Sequence, residues 1–232
     1  MSGTTRVRPP RRIRPGTRRV LEPGRRLTCA VLAPGPEEWV AVDLATGAFV
    51  RVRPADTAAL AGEHRALDVV MVVLGEDEDP LDPSRPEAVV PAALPERVGR
   101  LTRRRGRRLL KRLAAPERRG LPLLGTRGPS IAFVDLDGTA PSVTVVRVSA
   151  RTVELATRAD GEAVLAISWA GVDWTIPVAD PEARAAALAA AQPLRAKPLS
   201  VALGFKPGFL VVGLGRVRDG HAPKLVLAVL PR

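Results

Sequence analysis

The chain has no tyrosine, three tryptophans, four phenylalanines, one cysteine, two histidines and four lysines in 232 residues. Each shortage excludes something. Binders of single-stranded nucleic acid stack bases on exposed aromatic rings, so aromatic scarcity argues against recognition by stacking. Trp169, Trp174, Phe133 and Phe49 fall on strand-like runs and are expected in the core, while Trp39, Phe205 and Phe209 are candidates for exposure. One cysteine excludes a disulfide framework or a multi-cysteine zinc site within the chain. Cys29 lies in the apolar run Leu27-Thr-Cys-Ala-Val-Leu-Ala33 and reads as an inert core thiol. His64 and His221 sit in polar, turn-like surroundings and read as solvated loop residues. Nucleophilic triads and zinc sites usually draw on histidine, so the expectation is a protein with no catalytic residue, no metal site and no cofactor. No apolar run approaches the roughly 18–20 residues that span a bilayer, so no membrane role is expected.

What is present is charge and apolar strand-forming sequence. Hydrophobic residues make up 46%, enough for a packed core, and the formal net charge is +12. That charge is concentrated. Residues 1–26 carry net +8, residues 97–119 carry net +10, and the rest carries net −6. GC-rich codon usage would explain 32 arginines against four lysines, but not their clustering. Clustered cations attract polyanions by steering and counterion release. Only about eight apolar residues follow Arg25-Arg26, at the bottom of the usual range for an export signal and too far in. A cytoplasmic protein with a disordered basic arm at 1–20 is therefore expected.

Strand-like runs at 26–33, 39–44, 49–53 and 66–74 are separated by Pro-Gly, Thr-Gly and acidic breaks, with a short strand at 88–91. Glu76 to Asp82 forms an acidic loop. In the second half, strands are predicted at 130–136, 143–148, 152–157, 163–169 and 172–178. Asp160-Gly161 is a hairpin signal, and Val172, Trp174, Ile176 and Val178 share one face. Asp180 followed by Pro181 marks a helix start, with the helix over 182–191. Strands at 200–205, 210–214 and 224–230 close the chain. Between the halves, residues 100–114 form a predicted helix. Thr102, Gly106, Leu109, Leu110 and Leu113 lie on one side; Arg103, Arg104, Arg105, Arg107, Arg108, Lys111 and Arg112 cover the rest.

Certain segments carry a resemblance: Leu67-Asp-Val with Pro80 and Pro86-Glu-Ala-Val89, the run from Ala166 to Pro181, Leu199-Ser-Val-Ala-Leu-Gly204, and Lys224 to Leu230. Together they resemble the bacterial dual OB-domain family over residues 26–231. The segment from Cys29 to Trp39 departs from the pattern. The resemblance implies two OB-like barrels and nucleic-acid binding, and carries over no catalytic residue. Short strands with turn signals lead independently to a mainly β fold: two small OB-like β-barrels joined by a basic helix, with one further helix in the second half. The expected division is a basic arm at 1–20, a first β-domain at 21–96, a basic linker helix at 97–120 and a second β-domain at 121–232.

The sequence-level reading of function is a non-enzymatic binder of nucleic-acid phosphates. Its expected contacts are Arg103, Arg104, Arg105, Arg107, Arg108, Lys111 and Arg112 on the helix and Arg11, Arg12, Arg14, Arg18 and Arg19 in the arm. An alternative is a module that docks an acidic protein partner, or the chain's own acidic loop, through the same charges. A third reading rests on Ile131-Ala-Phe-Val-Asp-Leu-Asp-Gly-Thr139, which resembles the first motif of haloacid-dehalogenase-like phosphatases, with Asp135 as nucleophile and Asp137 as acid/base. That motif needs a parallel strand tip and a long α/β body, whereas the 93 residues after Thr139 read as hairpins. Gly213-Leu-Gly215 does not complete a dinucleotide fingerprint.

Overall fold

A computed structural model describes residues 23–35, 38–53, 64–76, 82–189 and 196–232. The arm arginines Arg11, Arg12, Arg14, Arg18 and Arg19, and residues 77–81 of the acidic loop, lie outside the described residues. The fold is mainly β, with curled sheets that include a half-barrel. The chain divides into two compact units: 1–113 with 138–141, and 114–137 with 142–232.

The first unit is built on β1 (Arg26–Ala33), β2 (Trp39–Asp43), β3 (Phe49–Val52), β4 (Asp68–Val73), β5 (Ala88–Val89) and β6 (Glu96–Arg100), followed by helix α1 (Arg103–Leu113). The sheet order is β5-β3-β2-β1-β4-β6. β1 pairs antiparallel with both β2 and β4, and β3 pairs parallel with β5. The sheet curls because the chain after β5 returns to the end of β4. Leu74 bridges Pro91, Ala92 N–H donates to the Val73 carbonyl at 2.8 Å, and Gly75 N–H to that of Val90 at 2.8 Å. The β2–β3 turn forms because Asp43 accepts from Ala45 N–H and Thr46 Oγ1, and Gly47 supplies a φ of +77°. Leu27, Cys29, Val31, Trp39, Ala41, Val50, Val52, Val70 and Val72 point into one core with period two. The opposite-facing Ala30, Leu32, Val40, Val42, Phe49 and Arg51 are buried as well. These strands therefore read as nearly continuous apolar runs, the pattern of a sheet covered on both faces.

The second unit contains β7 (Ser130–Ala132), β8 (Val143–Arg147), β9 (Val153–Thr157), β10 (Ala163–Trp169), β11 (Val172–Pro177), α2 (Pro181–Leu188), β12 (Lys197–Pro198), α3 (Leu199–Leu203), β13 (Pro207–Leu214) and β14 (His221–Pro231). They form two four-stranded sheets, ordered β11-β10-β9-β12 and β7-β14-β13-β8. A parallel bridge between Val178 and Val226 links the end of β11 to β14, and β8 runs through a turn into β9. The β10–β11 hairpin closes on Ala170 and Gly171, both at positive φ (+55° and +75°), as a tight two-residue turn requires. Asp180 caps α2 as expected: one carboxylate oxygen accepts from Ala183 N–H at 2.8 Å and the other from Val229 N–H of β14 at 3.0 Å.

Three expectations are corrected. The predicted strand over 200–205 is instead α3, ended by Gly204 at φ +68°; a short apolar run carries no period that separates strand from helix. The run 130–136 keeps strand geometry only to Ala132 and then turns through a 3₁₀ helix at Phe133–Asp135. The helix predicted over 100–114 begins at Arg103, because 96–100 extends the first sheet.

Candidate nucleic-acid interface

α1 is set in place from both ends of its sequence logic. Thr102 Oγ1 accepts from Arg105 N–H at 3.4 Å, and the Thr102 carbonyl accepts from Gly106 N–H at 2.8 Å, so Thr102 caps the helix. Gly106, Leu109, Leu110 and Leu113 are the buried residues of the helix. The glycine is there for space. A Cβ at Gly106 would stand 2.6 Å from Leu67 Cδ1, and Leu67 itself holds a φ of +71°. At about 100° per residue the four buried positions span an arc of about 100°, and the seven basic residues span about 200°. Arg103, Arg104, Arg105, Arg107, Arg108, Lys111 and Arg112 are all exposed. The fold therefore brings the seven predicted helix residues onto one solvent face.

The electrostatics of this face oppose the helix that carries it. Its first turn has no acidic residue and three arginines, facing the positive end of the helix dipole. Pairs four apart, such as Arg104 with Arg108 and Arg107 with Lys111, repel by about 0.2–0.5 kcal/mol each. Among the described residues, the side chains of Arg104, Arg105, Arg107, Arg108 and Lys111 make no ion pair. Just before the helix, β6 adds Arg97 and Arg100, which share one carboxylate. Their Nε atoms lie 3.5 and 3.8 Å from the two oxygens of Asp68, a nearly inaccessible side chain, while each arginine stays about half exposed.

The other candidates are placed elsewhere. Asp135 and Asp137 are exposed, and Asp135 lies in the 3₁₀ turn after β7, a strand antiparallel to β14. His221 is exposed at the start of β14, its Nδ1 3.1 Å from the Asp219 carbonyl. His64 is not the solvated residue expected: it is buried, edge-on to the Trp39 ring with centroids 4.4 Å apart. Trp39 and Phe209 are core residues, and Phe133 is the exposed one. Cys29 is inaccessible, and burial, with Asp43 adding to it, pushes its thiol well above the ordinary range. Among the described residues, no group of three or more His, Cys, Asp or Glu could hold a metal ion.

Sequence reasoning missed three buried cations, Arg51, Arg85 and Lys224. Arg51 on β3 pairs with Glu38 (Nη1 to Oε1, 2.5 Å), and Glu38 also accepts from Arg85 Nη1 at 3.0 Å. Lys224 on β14 donates to the carbonyls of Thr126 (2.7 Å) and Gly128 (2.6 Å) and lies 4.6 Å from the centre of the Trp174 ring. A lone cation inside an apolar strand, as in Phe49-Val-Arg-Val52, was the available signal. No protein-family model matches the chain, and no curated protein matches it.

Proposed function

We propose that this chain is a non-enzymatic, cytoplasmic nucleic-acid-binding protein made of two OB-like barrels, related to the dual OB-domain family it resembles. Its ligand's phosphates would be held by α1, with the basic arm adding charge. The carrying observation is the helix face. Seven cations are gathered on one exposed arc with no acid among them, an arrangement unfavourable to the helix and relieved by a polyanion. The barrel reading is supported by strand neighbours. In the first unit the order runs β1-β2-β3, then β5 parallel to β3, then β4 beside both β5's continuation and β1. In the second, β9-β10-β11 meets β14 in parallel, and β14-β13-β8 leads back into β9. The first order suits a five-stranded Greek-key barrel, and the second, with six strands, suits the same order if β8 and β9 together stand in the first strand's place.

The test is filter binding of the full chain to a mixed-sequence nucleic acid across a salt series. If about six phosphates are neutralised on a duplex, log K should fall against log salt with a slope of roughly −5. Replacing Arg104, Arg107, Arg108 and Lys111 with glutamate should lower affinity at least 100-fold. No measurable affinity of the unaltered chain at low salt overturns the proposal. A tight complex with an acidic protein and none with nucleic acid would favour the competing reading of the same face.

A further inference from the structure

Resting on the nucleic-acid reading of α1, we infer that the ligand is a B-form DNA duplex, taken up without regard to sequence by seating α1 in the major groove against the phosphates of both strands.

Three observations exclude the single-stranded alternative. Stacking needs exposed rings, and the rings here are inside. Trp39, Trp169, Trp174, Phe49 and Phe209 are buried, Phe205 is half-buried against the core, and Phe133, at 43% exposure, is the only exposed large aromatic among the described residues. Phe133 sits in the turn that carries Asp135, with Asp137 close behind, where a phosphate would be repelled. The sheet faces that could hold a strand of bases are also unsuitable. In the first unit, β2 and β3 are buried along their whole length, and β6, exposed throughout, offers Arg97 and Arg100 but no ring to stack on. In the second, the solvent-facing residues across β9, β10 and β11 are Glu154, Ala166, Ser168, Asp173 and Thr175, paired side by side. That face has two carboxylates, no cation and no ring.

The shape of the charge on α1 selects the duplex. A single strand offers one line of phosphates and would use one row of cations. The basic arc instead spans about 200° of the helix along about 16 Å. Arg103 and Arg107 lie at one margin of that arc, Arg105 and Arg112 at the other, and Arg104 and Lys111 near its centre. A helix about 10–12 Å across matches a major groove about 12 Å wide, so the two margins face opposite phosphate walls. The A-form RNA duplex, with a deep and narrow major groove, does not admit it. Contacts to phosphate carry no sequence information, so a helix held by the two margins of its basic arc against the phosphate walls binds without regard to sequence.

The experiment uses the full chain and four probes: a 24-base-pair DNA duplex, a second duplex of scrambled sequence, a 24-nucleotide oligo-dT, and an RNA duplex of the first sequence. Both DNA duplexes should bind equally and at least 10-fold more tightly than oligo-dT or the RNA duplex. The double variants Arg103→Gln/Arg107→Gln and Arg105→Gln/Arg112→Gln should each reduce the duplex salt slope by about 2, since each phosphate contact contributes about 0.9. Oligo-dT or RNA binding as tightly as the DNA duplex overturns this inference and leaves the phosphate reading standing, as does a slope that responds to one pair only. Failure of all four probes to bind at low salt overturns the phosphate reading itself.

Discussion

Two buried groups should give this protein an unusual dependence of stability on pH, with opposite signs. Lys224 is almost inaccessible, and burial pushes its ammonium from the ordinary 10.5 down to about 8. The Thr126 and Gly128 carbonyls and the Trp174 ring favour the charged form but do not offset the lost hydration. Between pH 8 and 10.5 the unfolded chain holds a proton on Lys224 that the folded chain has released, so stability rises with pH. At about 1.4 kcal/mol per unit, the full gain is about 3 kcal/mol. Cys29 works the other way. Its folded thiol stays protonated, whereas the unfolded thiol ionises above its ordinary 9.0, so stability falls by about 2 kcal/mol from pH 9 to 10.5. Lys224 belongs to the second unit and Cys29 to the first, so the unfolding of the second unit should gain stability from about pH 8 upward and that of the first should lose it above about pH 9. Lys224→Met should remove the gain and Cys29→Ala the loss. Each substitution also shifts absolute stability by repacking, so the slope is the quantity to read. Urea unfolding followed by fluorescence of the buried tryptophans, repeated from pH 7.5 to 10.5, measures it. A rise between pH 8 and 9 that survives in Lys224→Met would refute the assignment.

Two further substitutions probe how the units are held. Glu38→Gln removes the carboxylate that Arg51 and Arg85 share inside the first unit and should cost about 3 kcal/mol in urea unfolding; a change under about 1 kcal/mol would show the cluster to be solvated rather than structural. Asp180→Ala removes both the α2 cap and the acceptor for the buried Val229 N–H and should cost about 3 kcal/mol, while Asp180→Asn, which keeps one acceptor oxygen, should recover about half. Equal losses in the two variants, by calorimetry, would assign the effect to charge instead of to hydrogen bonding.

Strands were legible where local chemistry marked both their faces and their ends. The run at 163–169 has its observed bounds, and Gly161 and Gly171 supply the positive φ of the turns on either side of it. α1 was legible from period alone, because its leucines and cations never share a side. The residues misread share a different cause. His64, Trp39 and Phe209 follow or adjoin polar or turn-forming residues, and local polarity does not report what distant strands fold over them. Trp39 is covered because β2 lies within a sheet buried on both faces, and His64 is covered because it meets the Trp39 ring from 25 positions away in sequence. Lys224 was hidden by the same logic in reverse: its two carbonyl partners are nearly a hundred residues earlier.

The division between sheet and helix bears directly on where a ligand can act. A sheet whose central strands are buried on both faces has no surface left to offer, so β2 and β3 can contribute only rigidity. Cations in such a sheet must be answered internally, as Arg51 is by Glu38. The helix follows the opposite rule. Its stability comes from four small or leucine positions on a narrow stripe, and Gly106 is among them because Leu67 occupies the space a side chain would need. None of its charged residues is among those buried positions, and those in the first turn act against the helix dipole. Within residues 97–119, Arg97 and Arg100 are answered by the Asp68 carboxylate, whereas Arg104, Arg105, Arg107, Arg108 and Lys111 make no ion pair among the described residues, so the proposed phosphate contact falls chiefly on these five.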